Sequence, residues 1–351
     1  MSKLPEYAIS EYTHALRASL PERLFAPVPS RLLWLLLHVS VIAAGTVAIA
    51  HHWGGWPGRI ALALVIGHSF AGAAFVAHEA LHGSLVRGRR LRLAIGWLGF
   101  LPFIVSPTLW VAWHNRVHHG HTARMGVDPD TYPTLARYRE SRAVRIVDHV
   151  SVGGKRWAGL LTLCFGFNGQ SLIALSQARA NGWLDRKQQR IAIVQTAAAA
   201  LVWLTVAILV GPLAFVFSFF VPLLIGNAIV MGYILTNHSL SPLTEKNDPL
   251  LNSLSVTAPR VVEALHLGFG YHVEHHLFPA MSARHARLVR QLLRERWPER
   301  YQSLSLGTAL RLLWTTPRVY EDATTLVNPR RDQRFHTLLP RAPRPLAQRQ
   351  A

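Results

Sequence analysis

Nineteen histidines are the first chemical signal in this chain of 351 residues, because they are not spread evenly. Three groups stand out: His78-Glu-Ala-Leu-His82, His114-Asn-Arg-Val-His118-His119 and His272-Val-Glu-His275-His276. On a helix, residues three or four apart share a face, so each group presents its imidazoles together. Neutral imidazole is a good ligand for iron, zinc, copper and nickel. Rings in three such groups can hold more than one ion. One HxxxH alone is more often a surface feature than a metal site; three groups meeting at one place are not explained that way. The only cysteine is Cys164, which excludes an intramolecular disulfide framework and a self-contained thiolate cluster.

These groups need elements to position them. Half of the residues (50%) are hydrophobic and only 16% charged, which fits a polytopic membrane protein and excludes a disordered chain. Leu32–Ala50, Ile60–Ala77 and Ile191–Leu235 contain no Asp, Glu, Lys or Arg. A membrane crossing takes about 20 apolar residues, so the first two fit one span each. The third fits two, broken at Gly211-Pro212. The expected spans are therefore 32–50, 60–77, 191–210 and 213–235. The short connectors His51–Gly58 and Gly211-Pro212 carry no Lys or Arg, so every one of the 37 basic residues except Arg59 falls on the other side. That asymmetry orients both termini and the middle segment to the cytoplasm. The formal charge of +19 then reads as orientation and attraction to an anionic leaflet, not as nucleic-acid binding. Residues 1–31 show no apolar signal-peptide core. Asn328–Ala351, rich in Arg, Pro and Gln, reads as a loose tail.

Two weaker apolar stretches, Leu93–Val111 and Trp157–Ser176, are settled by requiring the histidines to meet. Gly83–Trp113, between the first two groups, is too short for two crossings, which need about 40 residues, and one crossing would separate the groups. Both stretches are therefore expected to be interfacial or re-entrant. The second span runs straight into His78, so its helix should project beyond the bilayer. The fourth runs into Asn237-His238, which makes His238 a candidate ninth ligand and Asn237 a substitute; a polar helix end is the competing reading. His121 and His266 rank below these, and His38, His68, His149, His285 and His336 read as packing or surface residues.

At these residues the sequence resembles the membrane fatty acid desaturases, the integral-membrane, histidine-rich di-iron family. The resemblance covers roughly Leu32 to Arg300. It rests on His78-Glu-Ala-Leu-His82-Gly-Ser, on the second group with Asp128-Pro-Asp130 downstream, and most specifically on Gly270-Tyr-His272-Val-Glu-His275-His276-Leu-Phe-Pro279. It implies an all-α fold of four transmembrane helices with a cytosolic helical cap holding a di-metal site. The domain would run over 32–300, between cytosolic segments 1–31 and 301–351. Two iron ions would be held almost entirely by histidine: His78, His82, His114, His118, His119, His238, His272, His275 and His276. The second group has HxxxHH where many members have HxxHH.

Alkyl C–H bonds offer no acid–base handle, so a redox cofactor must do the hard step. The resemblance implies O2-dependent insertion of a double bond into a fatty acyl chain of a lipid or acyl thioester. Glu79, Glu274 and Asp130 are candidates for orienting ring N–H groups, with solvated ion pairs as the competing role. Trp110, Trp113, Phe269 and Tyr271 are candidates for lining an apolar substrate slot. One cysteine cannot build a redox centre, so a separate ferredoxin- or cytochrome-like donor is expected, suited by the basic runs Arg87–Arg92 and Arg284–Arg300. A hydroxylase or ketolase acting on a carotenoid or alkane is the nearest rival. A metal transporter or sensor is disfavoured, because it would want charged residues inside its spans.

Overall fold

The computed structural model describes residues 5–331 and 333–340. It is mostly helical, and five helices are long and apolar enough to cross a membrane: Pro29–Ala50, Gly55–His82, Trp157–Gln177, Arg186–Val210 and Pro212–His238. Four contain the spans read from the sequence. Trp157–Gln177 is the fifth, within a stretch expected to be interfacial. A further pair, Arg89–Phe103 and Pro107–His121, passes the same test jointly but bends by 105° between its halves.

The second of these helices is unbroken from Gly55 to His82, so the first histidine group sits on its last turn, and Gly83, at φ 87°, ends it. Small residues let its neighbours approach: a Cβ at Gly67 would stand 2.6 Å from Ile225, and one at Gly99 would stand 2.5 Å from the Ala73 carbonyl oxygen. Arg59, the lone basic residue of its end, is buried against His52 and lies over the Trp56 ring.

The sharp bend before Pro107 has an identifiable support. Gln195, on the Arg186–Val210 helix, accepts from the Ser106 hydroxyl at 2.7 Å and from the Thr108 amide at 3.3 Å. Its carbonyl also accepts from the Trp97 indole at 2.9 Å. Gln195→Leu should therefore cost about 1–2 kcal/mol, the value of a buried polar pair in such surroundings. Thermal unfolding in detergent reads this directly; an unchanged melting temperature would show that packing alone holds the turn.

Both ends of the Trp157–Gln177 helix are tied to segments that carry or flank the histidines. At its start, Thr162 donates to the Val150 carbonyl at 2.5 Å, and Gly159 lies against Val152. Arg318 joins the Val152 and Ser239 carbonyls, and Ser239 follows His238. After its end, the Trp183 carbonyl accepts from Arg116, between His114 and His118. Midway, Gln170 donates to Asp130 at 2.5 Å.

The fold is not purely helical. Ser255–Thr257 pairs in parallel with Ser303–Ser305, and Val319–Tyr320, Thr325–Asn328 and Gln333–His336 form an antiparallel sheet. This corrects the expected loose tail: Phe335 pairs with Leu326, and the Leu338 amide donates to the Leu240 carbonyl at 2.8 Å. The sheet buries Leu326 and Val327, an apolar pair that a composition dominated by Arg and Pro further on conceals. Residues 341–351 of that expected tail lie outside the described residues.

Candidate metal centre

All nine candidate histidines converge, in two lobes. In the first, ring nitrogens of His78, His82, His114 and His275 lie within 4.8 Å of one another. His119 joins this lobe, its Nε2 standing 3.2 Å from those of both His114 and His275. In the second, His118, His238 and His276 meet the same limit. His272 joins them, with Nε2 2.6 Å from that of His238 and 3.0 Å from that of His276. The lobes touch where the His119 and His276 rings stack, 4.3 Å between centroids.

Local winding explains how each group serves the lobes. Val111–His118 is π-helical, and the His119 amide bonds back to the His114 carbonyl, five residues earlier. The wider turn absorbs the extra residue of HxxxHH and leaves His114, His118 and His119 facing one space. The third group lies on the short helix His272–Leu277 and is divided: His275 reaches the first lobe, His272 and His276 the second.

The donor set fits metal ions. The Nε2 atoms of His78, His82 and His118 are buried and have no hydrogen-bond partner among the described residues. Facing Nε2 atoms at 2.6–3.2 Å are the arrangement of lone pairs converging on a cation. Burial, reinforced by neighbouring imidazoles, holds His272 and His276 well below the usual imidazole range, so both rings are neutral, as ligands must be.

The back sides of the rings are also fixed. His118 Nδ1 donates to Asp128 Oδ1 at 3.0 Å, with Asp130 Oδ2 at 3.4 Å. Thr122 gives its hydroxyl proton to the His118 carbonyl at 2.8 Å, so towards His276 Nδ1, at 3.3 Å, it can only accept. His238 Nδ1 faces the Asn252 carbonyl at 3.4 Å. Each contact keeps Nδ1 protonated and leaves Nε2 free for a metal. Burial works to raise the Asp128 carboxyl, but the His118 ring and hydrogen bonds hold it below the usual range; burial pushes Asp130 up to about 6.

Of the three acids expected to orient rings, only Asp130 faces an imidazole. Glu79 accepts instead from Arg31 at 2.5 Å, Ser282 at 3.1 Å and the Ala283 amide at 2.8 Å. Glu274 accepts from Ser255, Tyr301 and Arg290 at 2.5, 2.6 and 2.9 Å. Both anchor the segments that carry ligands, because their positions between histidines point them away from the ring cluster. Sequence reasoning missed Asp128, Thr122, Asn252 and Arg318. Asp128 was marked by its place in Asp128-Pro-Asp130; the others carry no local signal. Asn237 is buried with its amide unpartnered among the described residues. His121 bonds the Val117 carbonyl, and His266 is bonded by the Tyr233 hydroxyl at 2.8 Å; neither joins a lobe.

Residues 54–307, most of the chain and all nine candidate ligand histidines, match the profile of the fatty acid desaturase family. The chain belongs to that family. It is similar to the sn-1 oleoyl-lipid 12-desaturase of Synechocystis sp., 23% identical over 241 residues, 66% of this chain and 67% of the relative. A protein of Sorghum bicolor named as a probable fatty acid desaturase is 31% identical over 141 residues, 39% of this chain and 34% of the relative. The sn-1 acyl-lipid omega-3 desaturase (ferredoxin) of Synechocystis sp. is 32% identical over 119 residues, 34% of this chain and 33% of the relative. The last two matches thus span about a third of each relative's length. A member of this family is an oxidoreductase of lipid metabolism.

Proposed function

We propose that this desaturase introduces a double bond into the acyl chain of a membrane lipid, using O2 and two iron ions held in the two histidine lobes. The observation that carries the reading is the adjacency of those lobes to a narrow apolar cavity lined by Phe100, Trp110, Trp113, Phe167, Val230 and Phe269 beside His78, His114, His238 and His272. His78, His82, His114, His119 and His275 would hold one ion, and His118, His238, His272 and His276 the other. Bound iron supplies the O2 and one-electron chemistry that side chains lack. The chain's own residues do the rest. Asp128, Thr122 and Asn252 fix ring tautomers, Trp110 stacks on His114 at 4.3 Å, and the apolar walls hold methylenes beside the lobes and keep bulk water out.

The membrane reading has four spans. With Trp157–Gln177 bonded to segments that carry or flank the histidines, that helix and the bent Arg89–His121 pair would lie in the cytoplasmic interface. The basic residues would then stay on the cytoplasmic side. The donor would be a small acidic ferredoxin-like protein, in keeping with the relative whose name carries ferredoxin.

Lipid profiles of cells expressing wild type and His275→Ala, with a donor present and both proteins accumulating, test this. The wild type should yield a lipid about two mass units lighter, absent with His275→Ala. A gain of about sixteen would mean hydroxylation. Identical profiles would remove the reading.

A further inference from the structure

Three histidines outside both lobes are ranged in a line. His38 lies in the Pro29–Ala50 helix, His68 in the Gly55–His82 helix, and His266 just after the short helix Arg260–Leu265. The His68 ring stacks on His266, 5.3 Å between centroids, and stands 6.1 Å from His38. The Nε2 atoms of His38 and His68 are buried with no hydrogen-bond partner among the described residues. Ionisable side chains inside a span are costly to keep, so such a row calls for a use. Trp34 closes the row at one end: it stacks on His38 at 6.0 Å and lines a surface groove with Arg31, Arg284 and Arg287.

Tyr233 closes it at the other. Its hydroxyl donates to His266 Nδ1 at 2.8 Å, and its ring is buried, edge-on to Phe75 at 5.8 Å and to Phe269 at 5.6 Å. Phe269 in turn meets the His78 ring edge-on at 5.0 Å. Ring contacts therefore run from a candidate ligand of the first lobe through Phe269 to Tyr233, and on through His266 to the surface at Trp34. A phenol gives up an electron readily only when its proton leaves with it, because the oxidised phenol is a strong acid. Burial, with His68 alongside, holds the His266 imidazole down at about 4, so the ring is neutral at rest and its Nδ1 lone pair is open to that proton. Trp110 and Trp113 also stand near the lobes, but they line the substrate cavity, where a radical would meet the lipid. Tyr233 is set behind Phe75 and Phe269, which line that cavity themselves.

A centre that activates O2 with no acyl chain beside it is left to oxidise its own ligands. We propose that Tyr233, with His266 as its proton acceptor, is the sink that spares them. When O2 has oxidised the centre and no substrate is in place, the Tyr233 O–H bond breaks. The electron passes by way of Phe269 and His78 to the metal, which is reduced by one unit. The proton moves to His266 Nδ1, leaving a neutral phenoxyl and an imidazolium. One electron from the external ferredoxin-like donor, entering at Trp34 in the arginine groove, and the returning proton restore the phenol. This rests on the desaturase reading of the site.

Freeze-quench electron paramagnetic resonance tests it without lipid or turnover. Full-length, iron-loaded, reduced protein is mixed with O2 and frozen. The wild type should show an organic radical whose spectrum narrows when the protein is made with ring-deuterated tyrosine. The same radical should gain a fluorine splitting when a ring-fluorinated tyrosine stands in place of Tyr233. Tyr233→Phe should lose the signal and, in peptide mapping, show more oxidised histidine in the lobes. His266→Gln, which keeps a hydrogen-bond partner but takes up no proton, should lower the radical yield. Trp34→Phe should lengthen the radical's lifetime once donor is added. Metal content and melting temperature are read alongside, and the fluorinated protein assigns the radical even where a variant fails to fold. No radical in the wild type, or one that narrows with deuterated tryptophan instead, overturns the sink, while the desaturase reading stands on its lipid product. An unchanged yield in His266→Gln overturns the proton acceptor, and an unchanged lifetime in Trp34→Phe overturns the route to the groove. The expected radical in a protein that oxidises no lipid supports the sink and removes the desaturase reading instead.

Discussion

His238→Ala should leave the first lobe loaded and empty the second, with turnover falling more than about a hundred-fold, since losing only an orienting partner of a ligand already costs about 10–100-fold. The expectation follows from the division of donors. The first lobe has five imidazoles and does not include His238; the second has four, and the His238 nitrogen lies 2.6 Å from that of His272. Removing this ring leaves three donors and a gap at the end of the Pro212–His238 helix. Metal per chain, measured on purified protein, should drop from about two towards one, and lipid product should vanish. His149→Ala, whose ring meets Arg330 on the surface, should retain both metals and full turnover. Two metals per chain in His238→Ala would show that His238 is a polar helix end and no ligand.

That outcome bears on how far the sequence could be read. Four of the five long apolar helices were legible because their apolar runs contain no charge, and a charge-free run of that length has few uses outside a bilayer. The histidine set was legible because i,i+4 spacing is a local property of a helix, and His238 because a span must end where its partners wait. What the sequence hid is non-local. HxxxHH looks like a departure from the family pattern, yet the π-helical turn over Val111–His118 gives the added residue its place. Glu79 and Glu274 stand between ligands in sequence, but successive helical positions point about 100° apart, so both face outward, to Arg31 and Arg290. Thr122 and Asn252 touch rings contributed by distant segments. The strand Gln333–His336 depends on a partner, Thr325–Asn328, whose apolar pair is too short to register alone.

The same distinction between near and far partners decides which acid matters most. Asp128→Asn should weaken metal binding in the second lobe by about 10–100-fold, with little effect on the first. Asp128 lies 3.0 Å from His118 Nδ1, and its other oxygen is fixed by the Ala123 amide at 2.7 Å. The carboxylate thus holds one tautomer and makes Nε2 more basic. An amide of the same shape keeps one acceptor but loses the charge, and it can turn its NH2 towards the ring and force the wrong tautomer. Asp130→Asn should cost less. Its oxygen is farther from His118, at 3.4 Å; its carboxyl is pushed up to about 6; and Trp113 and Gln170 already occupy Oδ1. Chelator competition on the loaded protein, read as release of the weaker-held metal, ranks the two variants. If Asp130→Asn proves the more damaging, the ring is oriented by the longer contact, and the role given to Asp128 is wrong.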